Sequence, residues 1–192
     1  MYHAVVIGGS AGSFQEVIKI LGALSPTFPL PVFLCLHRLK NVRSGFVETM
    51  ALKSGIPVIE PYSKDPFEGG KAYLTPANYH MYIGQDHCIH LSVEEPHQHS
   101  RPSIDLTFFS AIETFGKEFI AILLSGANRD GAAGIRKAAE KGALTIVQDP
   151  ATAEVPVMVQ AALQTTKVSH VMTVPQIIDF LLSLQEPKIS AV

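Results

Sequence analysis

The chain has 192 residues with a formal net charge of -2, and 47% of them are hydrophobic while 17% are charged. This length suits one domain with a large core, and the high apolar content excludes a disordered chain. The charge of -2 gives no electrostatic footprint for nucleic acid. The start, MYHAVVIGGSAG, lacks the positive segment of a signal peptide, and no apolar run is long enough for membrane insertion. Cys35 and Cys88 lack metal or redox spacing, so we expect a cytoplasmic protein without disulfide, metal or cofactor.

Four unbroken apolar runs alternate with helical patterns along the chain. The runs cover residues 4–7, 32–36, 119–124 and 143–147. Unbroken runs are typical of strands that are buried on both faces of a parallel sheet. Helical periodicity covers residues 14–24, 45–52, 103–115, 131–141, 157–163 and 175–184. This order predicts an α/β fold, with a doubly wound, mostly parallel sheet and helices on both faces.

The segment from about residue 58 to 93 has a different pattern. Short β-rich pieces (VIE, KAYLT, YHMYIG and CIHLSV) are separated by Gly, Pro, Asn and Asp. This pattern predicts antiparallel hairpins that extend the sheet at one edge or form a lobe beside it. The polar loop at residues 94–102 then leads into a helix that starts near Ser103. We expect residues 1–186 to form one domain and residues 187–192 to be a frayed tail.

Polar side chains follow three of the apolar runs. Ser10 lies in GGSAGS after the first run, His37 directly follows the second, and Asp130 lies in SGANRDG after the third. Because ligands bind at the carboxyl ends of parallel strands, we expect these residues at one edge of the sheet. A hydroxyl, an imidazole and a carboxylate are the parts of a hydrolytic triad. Each alone is more typical of a helix cap or a hydrogen-bonded strand end, so their joint placement carries the interpretation.

Several neighbouring residues have alternative interpretations. Asp149 also follows a strand and is an alternative third triad member, although Pro150 after it favours a turn. Ser13 and Ser125 flank the expected site and are hydrogen-bond donors, caps or turn residues. Two arginines, Arg38 and Arg129, are expected at its mouth, where they steer an acidic partner or are simply solvated.

Two other kinds of site are disfavoured. The glycines of GGSAGS do not have the spacing G-x-G-x-x-G, and no acidic residue ends the second strand, so nucleotide binding is not expected. The histidines of the middle segment lack the spacing of metal ligands, which favours a solvated loop. These histidines are His87, His90, His97 and His99.

Six blocks of the sequence, in the right order, resemble the catalytic domain of the chemotaxis protein-glutamate methylesterases of the CheB type. They are VVIGGSAGSFQEV, the histidine after FLCL, AYLTPANYHMYI, SRPSIDLTFFSAI, AILLSGANRDGAAGI and TIVQDPATAEVPVM. The resemblance covers nearly the whole chain, and the catalytic serine, histidine and aspartate of the family fall on Ser10, His37 and Asp130. It implies hydrolysis of glutamyl methyl esters on the cytoplasmic helices of methylated chemoreceptors, and in some members deamidation of glutamines.

The chain departs from the family pattern around the expected oxyanion and substrate pocket, for which Ala11, Gly12, Ala127 and Asn128 are the candidates. The family often has a threonine in place of Ala11, and Met-Gly in place of Ala127 and Asn128. Typical members also carry an N-terminal receiver domain, whereas this chain begins at the first catalytic strand. The resemblance therefore implies a free-standing esterase governed by a separate regulatory protein, or the catalytic piece alone.

Two further functions stay open from the sequence. One is an esterase with another substrate, because the changed pocket residues alter specificity. The other is a non-catalytic binding module of a signalling array, against which the intact set of Ser10, His37 and Asp130 argues.

Overall fold

The computed structural model describes residues 1–37 and 45–185, so Arg38 and the predicted frayed tail at 187–192 lie outside the described residues. Nine strands occur in these ranges. They are β1 (Ala4–Gly9), β2 (Val32–Leu36), β3 (Val58–Ile59), β4 (Ala72–Leu74), β5 (His80–Ile83), β6 (Ile89–Ser92), β7 (Phe119–Leu123), β8 (Leu144–Gln148) and β9 (His170–Met172).

Six α-helices accompany the strands at the predicted places, with ends shifted by one or two residues. They are α1 (Phe14–Ala23), α2 (Phe46–Lys53), α3 (Ile104–Phe115), α4 (Ala132–Glu140), α5 (Val157–Thr165) and α6 (Val174–Leu182). The start of α3 is fixed by Ser103, whose side chain accepts a hydrogen bond from Leu106 N. None of the helices in the described ranges is long and apolar enough to cross a membrane.

Seven strands form one parallel sheet in the order β3-β4-β2-β1-β7-β8-β9. The first strand lies at its centre, with β2 on one side and β7 on the other, and the register pairs Gly9 with Leu36 and Gly8 with Leu123. The chain therefore winds outward from β1 in both directions. The predicted doubly wound α/β fold is confirmed, and the carboxyl end of β1 is a topological switch point, where such sheets bind ligands.

Each face of the sheet is covered by its own apolar core. Along β1, Val5 and Ile7 face a core formed with α1, α2 and α6, whereas Ala4 and Val6 face a core formed with α3, α4, α5 and the hairpin. Both sets are buried. This explains why the strands are read as unbroken apolar runs, since neither face meets water.

The prediction of antiparallel structure throughout residues 58–93 is wrong for β3 and β4. These two strands pair in parallel with each other, and β4 pairs in parallel with β2, so they extend the main sheet. The three residues of β4 are buried, as expected beside an interior strand. Only β5 and β6 form an antiparallel hairpin. It is fastened to α3 by hydrogen bonds from Thr107 Oγ1 to Met81 O (3.1 Å) and from Thr114 Oγ1 to Ile83 O (2.7 Å).

Helices α3 and α4 pack closely because α4 has a glycine at the contact. A Cβ atom on Gly134 would lie 2.6 Å from Cδ2 and 2.7 Å from Cβ of Phe108 in α3. Real Cβ atoms do not approach other atoms so closely, so an alanine here forces the two helices apart. This spacing matters for the site, because Asp105 lies in the first turn of α3 and Asp130 lies just before α4.

We expect Gly134→Ala to lower the free energy of unfolding by about 1–2 kcal/mol. Overpacking costs about 1–3 kcal/mol and outweighs the roughly 1 kcal/mol by which alanine favours a helix. Urea unfolding checks this, with Phe108→Leu as the partner variant. The double variant should lose less stability than the sum of the two single losses, because a smaller side chain makes room for the methyl group. Additive losses would show that the two residues do not meet.

Candidate active site

Ser10 lies at the end of β1 in a turn that is held by hydrogen bonds on both sides. Its N–H donates to Ser125 O (2.9 Å), and its carbonyl oxygen accepts from the N–H (3.0 Å) and Oγ (2.7 Å) of Ser13. The Oγ of Ser125 donates to Ala11 O (2.8 Å), and Gly12 has a φ of 80°, which favours glycine. Ser13 and Ser125 therefore fix the backbone of the turn, while the half-buried Ser10 lies at the carboxyl edge of the sheet.

His37 extends the pairing of β2 with β1 by one residue, because its N–H donates to Gly9 O (3.1 Å). Its side chain is 15% exposed, and Nε2 lies 2.8 Å from Oδ2 of Asp130. No hydrogen bond joins the Ser10 hydroxyl to the imidazole among the described residues. Contacts between a nucleophile and its base are often long in substrate-free proteins and shorten when the substrate binds.

The carboxylate of Asp130 is almost fully buried at the N-terminus of α3. Its Oδ2 accepts from His37 Nε2 (2.8 Å) and Ile104 N (2.7 Å), and its Oδ1 accepts from Asp105 N (3.0 Å) and Ser103 Oγ (3.1 Å). Burial raises the pKa of Asp130, but the hydrogen bonds from His37 and from the helix N–H groups outweigh it, so the pKa lies below its ordinary value. Asp130 is therefore ionised at neutral pH, beside the imidazole.

A second buried carboxyl, that of Asp105, forms a reciprocal hydrogen bond between the N-terminal ends of α3 and α4. Asp105 belongs to the first turn of α3, and its Oδ1 accepts from the N–H of Gly134 in the first turn of α4 (2.7 Å). Asp130, just before α4, accepts from the first turn of α3 in return. Each helix thus supplies the acceptor for the other helix's free N–H groups. An aspartate in the first turn of a helix has the sequence pattern of a helix-start residue, and no spacing in the sequence reveals that the side chain of Asp105 is buried.

The pKa values of Asp105 and Asp130 are shifted in opposite directions from the ordinary value of an aspartate. Oδ2 of Asp105 is buried and has no hydrogen-bond partner among the described residues. Burial, and then the charge of Asp130, raise the pKa of Asp105 to about 6. When two neighbouring carboxyls differ in this way, one keeps its charge and the other stays neutral over much of the pH range.

The loop between β7 and α4 brings Asn128 to the imidazole. Its Oδ1 accepts from Asp130 N (3.1 Å), and its Nδ2 lies 3.3 Å from Ser100 Oγ and 3.4 Å from Nδ1 of His37. Among the described residues, the backbone N–H groups of Ala11, Gly12 and Ala127 have no acceptor, and Ala127 is exposed. Within the described residues, the turn after β1 and this loop therefore offer backbone N–H donors that have no acceptor. The loop also places the amide of Asn128 against the imidazole of His37.

Neither Asp149 nor Arg129 forms a hydrogen bond with His37 among the described residues. Asp149 Oδ1 accepts from Ala151 N (2.9 Å), so its carboxylate supports a turn, while Arg129 is exposed. Of the middle histidines, His90 pairs with Asp86 (3.0 Å). Within residues 1–37 and 45–185, no three His, Cys, Asp or Glu side chains lie close enough together to hold a metal ion.

One further histidine, His80, supports the site from behind and was not selected from the sequence. It is fully buried, its Nδ1 accepts from Ser103 N (3.2 Å), and its Nε2 lies 3.3 Å from Glu95 O. Burial lowers the pKa of His80, so the neutral ring holds the start of α3, where Asp130 is bound.

We expect Asp105→Asn to make the free energy of unfolding less dependent on pH. The pKa of Asp105 in the folded protein, about 6, lies above its ordinary value of 3.8. The folded state therefore holds this proton more tightly, and stability falls as the pH rises from about 4 to about 6. Between pH 4.5 and 7.5, the variant should gain about 1–3 kcal/mol relative to the wild type. Urea unfolding at both pH values measures this gain.

Asp105→Ala is the matched control for that measurement. It removes the acceptor for Gly134 N as well as the charge, so it should lose about 1 kcal/mol at low pH, whereas Asp105→Asn keeps the acceptor. A difference between wild type and Asp105→Asn that is the same at both pH values would contradict the raised pKa.

Comparison with known proteins shows the family of this chain. The family model described as CheB methylesterase matches residues 5–181. A Leptospira interrogans protein, provisionally named protein-glutamate methylesterase/protein-glutamine glutaminase, is 34% identical over 185 residues, which are 96% of both chains. A Geobacter metallireducens protein with the same activity name is also 34% identical, and there the match covers 96% of this chain and 54% of the relative.

The fold has a solved counterpart. The crystal structure of the Thermotoga maritima CheB methylesterase catalytic domain aligns with a TM-score of 0.89 at 24% sequence identity, over 96% of this chain and 99% of that one. At this identity the likeness shows the fold, while the family-model match and the Leptospira relative show the ancestry. The chain belongs to the CheB methylesterase family.

Proposed function

We propose that this protein hydrolyses methyl esters of glutamate side chains on the cytoplasmic helices of methylated chemoreceptors. The observation that carries the proposal is the 2.8 Å contact between His37 Nε2 and the buried Asp130, at the strand end next to Ser10. Membership of the CheB methylesterase family and the names of the relatives support the same activity. The alternatives, an esterase with another substrate and a non-catalytic binding module, are outcomes of the test below.

The chemistry follows from the roles of three side chains. Ser10 Oγ attacks the ester carbonyl carbon, and Nδ1 of His37 takes its proton, because Nε2 is engaged with Asp130. The tetrahedral intermediate collapses as His37 returns the proton to the leaving oxygen, which departs as methanol. Water then attacks the acyl-enzyme with the same base, releasing glutamate and restoring Ser10. The low pKa of Asp130 keeps its charge beside the imidazolium at each step.

The oxyanion of the intermediate requires donors that are free in the resting protein. The backbone N–H groups of Ala11, Gly12 and Ala127 have no acceptor among the described residues. The N–H of Ala11 directly follows the nucleophile in the turn, and that of Ala127 lies on the loop that carries Asp130. We assign the oxyanion site to these N–H groups, since preorganised donors stabilise the developing charge most.

The same acyl chemistry extends to glutamine. If the substrate carbonyl belongs to a side-chain amide, ammonia takes the place of methanol as the leaving group and the same acyl-enzyme forms. The relatives from Leptospira interrogans and Geobacter metallireducens carry protein-glutamine glutaminase in their names. We therefore propose deamidation of receptor glutamines as a second activity of the site.

We expect Ser10→Ala to reduce methanol release from methylated chemoreceptor fragments by roughly a thousandfold or more, because the nucleophile is lost. Asp130→Asn should reduce it by roughly a thousandfold or more as well, because the amide no longer fixes the tautomer of His37. Asp149→Asn is the matched control, since that carboxylate also follows a strand but supports only a turn. Its rate should equal that of the wild type.

The outcomes separate the three functions. Release of methanol by Ser10→Ala would exclude Ser10 as the nucleophile. Turnover of an activated ester that Ser10→Ala blocks, without release from receptor fragments, would keep the hydrolytic chemistry and reject the substrate. Absence of both activities in the folded wild type would favour the binding module.

A further inference from the structure

The orientation of the Asn128 amide is settled by its own hydrogen bonds. Its Oδ1 lies 3.1 Å from the backbone N of Asp130, and a backbone N–H can only donate, so this end of the amide must be the oxygen. The NH₂ group consequently faces the two other neighbours. These are Oγ of Ser100, at 3.3 Å, and Nδ1 of His37, at 3.4 Å.

The contacts of His37 then determine which of its nitrogens carries the proton. Oδ2 of the ionised Asp130 is an acceptor, so Nε2 bears the hydrogen. The amide nitrogen of Asn128 has only hydrogens to offer, so Nδ1 must present its lone pair. Both neighbours select the same neutral tautomer. It is the tautomer in which Nδ1 can receive a proton.

We infer that Asn128 is a positioning residue for His37, whose amide occupies the base nitrogen in the resting protein and gives way to the Ser10 hydroxyl when substrate binds. The inference rests on the proposed function, since the exchange has a purpose only if Ser10 is the nucleophile. Two observations support it. The Ser10 hydroxyl has no hydrogen bond within the described residues, and the 3.4 Å contact is longer than an ordinary N–H hydrogen bond of about 2.9–3.0 Å. A contact this long is displaced at little cost.

Proton transfer requires that the amide has left. Once Nδ1 of His37 takes the proton of Ser10, an N–H group of the ring would face the N–H group of Asn128, and two donors repel each other. The amide nitrogen of Asn128 already lies 3.3 Å from Oγ of Ser100, so the half-buried amide keeps this acceptor when it leaves the ring. Asn128 therefore serves the base, and the oxyanion is left to the backbone N–H groups.

The test compares Asn128→Asp with Asn128→Ala. Asn128→Asp has nearly the same shape and keeps the oxygen that accepts from Asp130 N, but it replaces the donor to Nδ1 by an acceptor. It should favour a doubly protonated His37 between two carboxylates, which cannot act as a base. Asn128→Ala removes the contact, and Asp130 alone still selects the productive tautomer. A residue that only shaped the loop would tolerate aspartate better than alanine, which is the opposite order.

The first readout is the nitrogen NMR spectrum of the imidazoles in the substrate-free protein, with His37→Gln identifying the signals of His37. We expect the proton on Nε2 in the wild type. In Asn128→Ala the tautomer should persist while the Nδ1 signal shifts, because its donor is gone. In Asn128→Asp both ring nitrogens should carry protons. A wild-type spectrum with the proton on Nδ1 would overturn the inference.

The second readout is methanol release. Asn128→Asp should be about a hundredfold slower than the wild type, the range of a lost general base, while Asn128→Ala should stay within about tenfold. Equal rates for the two variants would overturn the inference. If the wild type released no methanol, the proposed substrate would fail separately, and an activated ester would replace it. The same ranking on that ester would support the role of Asn128, and equal rates would again overturn it.

Discussion

The site depends on one constraint, which is that three donors at the N-terminus of α3 hold the carboxylate of Asp130 while His37 supplies a fourth. A buried charge is tolerated only when it is paired and hydrogen-bonded, and the helix end supplies oriented N–H groups for this purpose. Because the carboxylate of Asp130 cannot rotate without losing these hydrogen bonds, it also fixes the orientation of the His37 ring. The orientation of the His37 ring is thus built into the packing of two helices, and it does not depend on the strands alone.

The return contact from Asp105 to Gly134 explains why α3 and α4 lie so close. Asp105, in the first turn of α3, accepts from α4, and Asp130, just before α4, accepts from the first turn of α3. The Gly134 contact with Phe108 sets the distance at which these hydrogen bonds form. The arrangement has an electrostatic cost, since the two carboxyls are neighbours in a buried space. The raised pKa of Asp105 reflects that cost, whereas the hydrogen bonds from His37 and from the N–H groups of α3 lower the pKa of Asp130. Asp130, which accepts from four donors, keeps the negative charge of the site. The ionised form of its neighbour Asp105 is destabilised by burial and by the charge of Asp130.

The position of the three polar residues at the strand ends could be predicted from the sequence, because it follows from a local pattern. Ser10, His37 and Asp130 each follow an unbroken apolar run, and parallel strands bring such positions to one edge. The parallel pairing of β3 and β4 could not be predicted in the same way, since two short runs between turn residues have the pattern of a hairpin whether they pair antiparallel or parallel. The burial of Asp105 could not be predicted from the sequence either. An aspartate in the first turn of a helix is ordinarily an exposed cap, and only the approach of α4 buries it.

The orientation of the Asn128 side chain follows from its hydrogen-bond partners and cannot be predicted from its spacing in the sequence. Its sequence position places it near the base, but position alone leaves open whether the amide serves the oxyanion, the substrate or the ring. The backbone N–H of Asp130 fixes the orientation of the amide, because it donates to the amide oxygen and leaves the nitrogen facing His37. The proton positions of the ring then follow from two neighbours on the loop between β7 and α4, of which Asp130 is an obligate acceptor and the Asn128 nitrogen is an obligate donor. A base with its tautomer fixed from both sides is ready for proton transfer before any substrate arrives, and it needs only the exchange of a weak donor for a hydroxyl.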